Sequence, residues 1–268
     1  MSLDPLPTVH MFWHGPPLSR LERLCLTSFV ANGHRLDLYV YDEPNGVPAG
    51  VNVVDASPIL PRDLLFTHRR TGSVGIFADW FRYRLLRMKG GIWADTDVVC
   101  LKPLRFDDPA IFAWQDDRTI NNAILGLPPN HKLAAWMDAC CENPNRALPY
   151  DTLSLRFRKW RRRFLQGNHR DRIRWGEYGP KGFTLAARHF GFARQALPAE
   201  VFYPVACDDW RALFEGTGSE PGWLAESHAA HLWNNMLGQE PGFDKASVFA
   251  ANSPYERLNA KYAQAFGA

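Results

Sequence analysis

Residues 78–104 read ADWFRYRLLRMKGGIWADTDVVCLKPL, and this stretch decides how the rest of the chain is understood. Apolar residues at 76, 77, 80, 81, 85 and 88 fall at helical spacing, which predicts a helix over 74–88. Gly90-Gly91 ends it, since glycine adopts the left-handed conformation that closes a helix. Ile92-Trp93-Ala94 then reads as a short strand running directly into Asp95-Thr96-Asp97. Val98 to Leu101 continues as β-rich sequence, and Pro103 breaks it. On a regular strand two carboxylates at i and i+2 face opposite sides. Where the strand ends in a turn, both can converge on one hard cation, of which Mg²⁺ and Mn²⁺ suit oxygen ligands and share substrate phosphates.

Outward from this block the pattern is that of an α/β protein. Residues 8–13 form a β-rich run closed by Gly15-Pro16-Pro17, 18–31 a helix stopped by Asn32-Gly33, and 36–41 and 51–54 two more strands. This β-α-β-β opening predicts a sheet that begins near the N-terminus. Downstream, strands are expected at 111–114, 120–127 and 201–205, and helices at 131–141, 152–165, 184–190 and 254–266. No repeat or low-complexity linker divides the chain, so a single domain over 1–268 is expected, with a basic helical excursion at about 150–175.

Composition narrows the function classes. The chain has 268 residues, 46% hydrophobic and 22% charged, which argues against intrinsic disorder. No apolar run reaches the ~18 residues of a membrane span, and the N-terminus lacks the pattern of a signal peptide. Five cysteines without a Cys-x-x-Cys pair suit a reducing compartment, so a cytoplasmic location is expected. The net charge of +3 conceals an asymmetry: residues 156–174 carry nine Lys/Arg against one Asp. Such a segment reads as a solvated face, a nucleic-acid patch or a contact with anionic lipid headgroups. The interleaved Phe157, Trp160, Phe164 and Trp175, and the lack of a nucleic-acid-binding motif, favour peripheral contact with the inner membrane face.

The central block resembles the DXD-containing sugar transferases of glycosyltransferase family 32, which are related to the glucosylating domains of the large clostridial toxins. The segments VHMFWHG, NNAILGLPPNH, YGPKGFTLA, FYP (202–204) and HLWNN follow in the family's order across residues 8–235. The resemblance implies a GT-A-like, Rossmann-like nucleotide-sugar-binding α/β domain with a mixed central sheet and added helices. It also implies retaining, Mn²⁺- or Mg²⁺-dependent transfer of a hexose from a nucleotide sugar. UDP-hexose is the favoured donor and GDP-mannose the other. The acceptor expected is a glycan or glycolipid in cell-surface polysaccharide synthesis, with a protein acceptor as the alternative.

The same resemblance assigns roles. Asp95 and Asp97 match the metal pair, with His231 a third ligand or a phosphate donor. Asp79 and Arg82, at i and i+3 on one helix face, pair with each other or meet the donor. Trp13 either stacks on the nucleobase or packs in the core, and Trp233 belongs to the late His-x-Trp element that covers the donor. Asn121 or Asn122 lies near the reacting sugar carbon, with Asp116 and Asp117 just before them. Trp80 and Tyr83 are read as packing residues, and Cys140-Cys141 as structural. A rival reading takes Asp95-Thr96-Asp97-Val98-Val99 as the nucleophile motif of a haloacid-dehalogenase-type phosphatase.

Overall fold

The computed structural model describes residues 5–216, 218–241 and 243–263. Its first half alternates strands and helices: β1 (Val9–Trp13), α1 (Arg20–Ala31), β2 (Leu36–Val40), β3 (Val51–Asp55), α2 (Gly75–Lys89), β4 (Ile92–Ala94) and β5 (Val98–Cys100). The second half continues with β6 (Ile111–Trp114), β7 (Ile120–Gly126), α3 (Lys132–Glu142), α4 (Leu153–Leu165), α5 (Pro180–His189), α6 (Trp223–Glu226), β8 (Ala229–His231), α7 (Asn234–Leu237) and α8 (Pro254–Ala263). Six strands form one sheet in the order β3-β2-β1-β4-β7-β6. The first four run parallel, and β7 and β6 join antiparallel. The sheet is therefore mixed, as expected.

Side-chain alternation along each strand builds two cores, one per face. Val9, Met11, Leu36, Leu38, Ile92 and Ala94 pack with α1 and α8. Their neighbours Phe12, Tyr39, Trp93 and Phe112 point the other way, onto α2, α3 and α5. α1 starts with a capping box in which Ser19 and Glu22 satisfy each other's backbone groups, worth about 1 kcal/mol. α2 stops where predicted. Gly90 and Gly91 have φ of +67° and +90°. A Cβ would come within 2.9 Å of the Pro129 nitrogen at Gly90, and within 2.9 Å of the Thr8 carbonyl oxygen at Gly91. Only glycine lets the chain turn there and enter β4 beside β1.

Strand order sets the position of the site. From β1 the chain winds outward to β2 and β3, then returns through α2 to lay β4 on the other side of β1. A parallel sheet opens a crevice at the carboxyl ends of its strands where the winding reverses. Trp13 ends β1 and Asp95 follows β4, so both leave the sheet at that edge.

Two expectations shift and a third is untested. No strand forms at 201–205, where Ala199–Val201 is instead a 3₁₀ turn. α5 begins four residues earlier than expected, with Pro180 in its first turn. Residues 264–266 of the expected last helix lie outside the described residues. The predicted helix over 152–165 forms and carries the first part of the basic segment, but not as a uniform cationic face. Lys159 is buried and donates to both oxygens of Asp151 at 3.0 and 2.8 Å. Arg162 bonds Glu177, and Arg170 donates to the Glu142 carbonyl. Among the described residues no helix is long and apolar enough to cross a membrane.

Candidate active site

Each site residue is delivered by a different element. Asp95 follows β4, and its amide donates to the Ala123 carbonyl on β7. The Val98 amide bonds the Asp95 carbonyl. This closes a turn that brings Asp97 back toward Asp95, the convergence a regular strand would forbid. The chain then enters β5, which pairs antiparallel with β8 so that Val98 sits opposite His231. That register places His231 Nε2 3.2 Å from Asp97 Oδ2. The same carboxylate oxygen accepts the backbone N–H of Asn234 at 3.0 Å. β8 has only three residues and no readable alternation, so sequence reasoning missed it; the HLWNN segment was the available signal.

α2 supplies the second half of the site. Arg82 Nη2 lies 3.1 Å from Asp95 Oδ1 and 3.2 Å from Asp79 Oδ1, its side chain almost wholly buried. Its guanidinium also donates to the Asn122 carbonyl and sits 5.0 Å from the Trp93 ring centroid. Asp79 and Arg82 thus pair with each other, and both line the cavity that holds Asp95. Asn122 Nδ2 bonds Asp79 Oδ1 at 3.0 Å and Tyr83 Oη at 2.9 Å. Asn121 instead bonds Gln115 at 2.7 Å. Both asparagines border the cavity.

The cavity has a volume of about 290 Å³ and opens to solvent. Asp79, Arg82, Asp95, Asp97, His231 and Trp233 all contribute to it. Trp13 does not line it; its indole N–H donates to the Pro16 carbonyl at the end of β1. Asp116 accepts the amides of Arg118 and Thr119 and so holds a turn. Trp80 and Tyr83 are buried packing residues, and Cys140 and Cys141 are buried in the same core. Gln115, Gly179 and Cys207 also line the cavity and carried no assignment from sequence; Trp175, which the sequence reading grouped with the membrane-contacting aromatics, lines it too.

Burial and the charges of neighbouring side chains shift every titratable group of the site. Burial, opposed by Arg82 and reinforced by Asp95, lifts Asp79 to about 6. Burial likewise raises Asp95 against the pull of Arg82. Burial would raise Asp97 too, yet the His231 imidazole holds it below its usual value. His231 is raised in turn, because Asp97 outweighs the cost of burying its charge. Several buried polar atoms here have no hydrogen-bond partner: His231 Nδ1, Arg82 Nε and Asn234 Oδ1. Buried groups are normally satisfied, so these orphans point to a ligand. Asp95, Asp97 and His231 each offer a ligating atom within 4.8 Å of the other two. Two carboxylates and an imidazole fit Mn²⁺ or Mg²⁺.

Comparison with known proteins agrees with this geometry. A family model described as "Glycosyltransferase sugar-binding region containing DXD motif" matches residues 69–121, which include Asp79, Arg82, Asp95 and Asp97. A second, "Alpha 1,4-glycosyltransferase conserved region", matches residues 169–263, which include His231 and Trp233. The two matches put a DXD sugar-binding region and an α-1,4-glycosyltransferase region in one chain, in keeping with its resemblance to the DXD-containing transferases of family 32. The match removes the phosphatase reading.

Among curated relatives, the human "Alpha-1,4-N-acetylglucosaminyltransferase" is 28% identical over 200 residues, covering 70% of this chain and 49% of that protein. The human "Lactosylceramide 4-alpha-galactosyltransferase" is 27% identical over 172 residues, covering 59% and 41%. The chain thus spans about half the length of these relatives or less. Among solved structures, "PaToxG Glycosyltransferase" aligns at TM-score 0.46 with 14% identity, covering 70% of this chain and 71% of that one.

Proposed function

We propose that this chain transfers a hexose from a nucleotide sugar, with UDP-hexose favoured over GDP-mannose, to a glycan or glycolipid acceptor with retention of anomeric configuration. The observation that carries the reading is the Asp95–Asp97–His231 cluster at the sheet's winding reversal, backed by the buried Arg82–Asp79 pair. Both of these human relatives are α-1,4-type transferases by name, and one is named for a glycolipid acceptor. That favours a sugar-bearing acceptor, here one used in cell-surface polysaccharide synthesis.

Asp95, Asp97 and His231 would hold Mn²⁺ or Mg²⁺, which when bound neutralises the diphosphate that leaves with the nucleotide. The chain's own residues do the rest. Arg82 is held by two carboxylates and a carbonyl, so its positive charge is already oriented toward the leaving group's side of the cavity and costs no reorganisation. Asp79 uses Oδ1 for Arg82 and Asn122. Its Oδ2 has no hydrogen bond among the described residues and is an acceptor for sugar hydroxyls. Gly179 keeps that oxygen accessible, since a Cβ there would stand 3.2 Å from it. Trp233, with its indole N–H fixed on the Val205 carbonyl, walls the cavity and limits water, whose attack would waste the donor.

The test is nucleotide release from a panel of UDP- and GDP-sugars, with and without Mn²⁺, followed by product analysis on a galactosyl-terminated glycolipid. Metal-dependent release from a UDP-sugar with glycolipid glycosylation is the expected result. Preference for GDP-mannose would overturn the donor assignment. Release from no sugar nucleotide would overturn the function.

A further inference from the structure

α4 is amphipathic in the inverted sense. Leu153, Phe157, Trp160 and Phe164 recur at i, i+4, i+7 and i+11, within an arc of about 60° at 100° per residue. All four are exposed, by 84%, 62%, 48% and 64%. With Leu165 they make five of the eight exposed large hydrophobics among the described residues, so the apolar surface is concentrated here. The rings form a continuous row: Phe157 stacks on Trp160 at 5.9 Å and Trp160 meets Phe164 at 6.0 Å. The opposite side of the helix carries Leu155, Lys159 and Arg162, and there Lys159 is buried on Asp151. A helix that buries its lysine and shows its tryptophan to solvent is explained only if something apolar covers the outer face.

We infer that the Leu153–Phe157–Trp160–Phe164 face of α4 seats in an anionic lipid bilayer. The charge around the row identifies the occupant. Arg156 and Arg163 flank it on one side and Arg161 on the other, and α4 contains no acidic residue. Arginines bordering an aromatic stripe match the boundary between headgroup phosphates and acyl chains. A two-fold contact with a second copy would instead set these cations against their own counterparts. The face also sits beside the chemistry. A cavity of about 370 Å³ beneath α4 is lined by Leu155 and Lys159 and shares Trp175 and Gly176 with the catalytic cavity. A bilayer-seated α4 therefore keeps the site next to lipid-borne sugar. This deepens the glycolipid-acceptor reading and rests on it only for its purpose; the docking itself follows from α4.

The experiment is co-sedimentation with phosphatidylcholine vesicles, with and without phosphatidylglycerol. The wild-type chain is compared with a Phe157→Ser, Trp160→Ser, Phe164→Ser triple variant. Sedimentation velocity on both reads self-association, and nucleotide release without acceptor reads donor chemistry separately. Expected are wild-type binding that needs phosphatidylglycerol and weakens in high salt, a loss of roughly tenfold or more in the triple variant, and unchanged nucleotide release. Brominated lipid should quench wild-type emission more than that of Trp160→Ser. Binding that ignores lipid charge, or survives in the triple variant, overturns the proposal. So does a wild-type dimer that the triple variant dissolves, which would make this face a contact between copies. Loss of nucleotide release in the wild type would strike the transferase reading and leave the docking result standing.

Discussion

Arg82 and Asp95 lie 3.1 Å apart, joining the second turn of α2 to the residue that follows β4. This contact turns two separate sequence features into one site. Asp95 Oδ1 also accepts the Trp93 indole N–H at 2.7 Å, so the carboxylate is oriented from both sides.

Replacing Arg82 should therefore damage stability and chemistry together. Arg82→Met leaves the buried Asp79 and the half-buried Asp95 without a counter-charge, a loss of about 3 kcal/mol. Arg82→Lys keeps the charge but not the fork that reaches two carboxylates and a carbonyl. Urea unfolding should show a much lower midpoint for the methionine variant than for the lysine variant. Nucleotide release should fall in both, by roughly a hundredfold.

Asp95→Asn and Asp97→Asn should separate folding from metal binding. Asparagine at 97 still offers an oxygen to the Asn234 amide, so the turn survives. In the wild type, Mn²⁺ with a saturating sugar nucleotide should raise the melting temperature by roughly 5 °C or more. In either variant that shift should vanish. Shifts equal to wild type would remove these residues from the metal site.

Gly179→Ala should act on the donor alone. Its φ of −78° lies outside the left-handed region that favours glycine. The added methyl crowds Asp79 Oδ2, and KM for the sugar nucleotide should rise several-fold while the melting temperature holds. A change in stability with KM intact would show that glycine serves packing there.

His10 makes an acid limb of stability. Burial, reinforced by Lys89 and opposed by Asp37, lowers its pKa to about 4, against about 6.5 in the unfolded chain. The unfolded state then binds more protons between these values, so stability rises with pH there and is lost as pH falls from about 6.5 to 4. The loss is on the order of 3 kcal/mol. Urea midpoints measured across that range should slope less in His10→Gln than in the wild type.

Lys159 anchors α4. Lys159→Met removes the cation shared by Asp151 and Glu177 and should loosen the helix from its bed. Limited trypsin digestion should cut within residues 156–163 markedly faster than in the wild type. Equal rates would show that the Arg162–Glu177 pair suffices.

Local sequence determined a good deal of this protein. Helical spacing ahead of Gly90-Gly91, the strand that follows and the Asp-Thr-Asp turn are all governed by neighbours within a few residues. The fold class and half of the site could therefore be read directly. The outward-facing aromatics of α4 were also visible as letters, but not their direction, because a charge count cannot show that Lys159, Arg162 and Arg170 turn inward to partners far along the chain. Tertiary structure alone decided that β4 lies beside β1, that β7 and β6 run antiparallel, and that three residues at 229–231 pair with β5. Those pairings are backbone hydrogen bonds between segments up to 133 residues apart, and such bonds leave no periodic trace in so short a strand. His231 meets Asp97 only because that long-range register holds, which is why the carboxylate pair was legible in the sequence and its geometry was not.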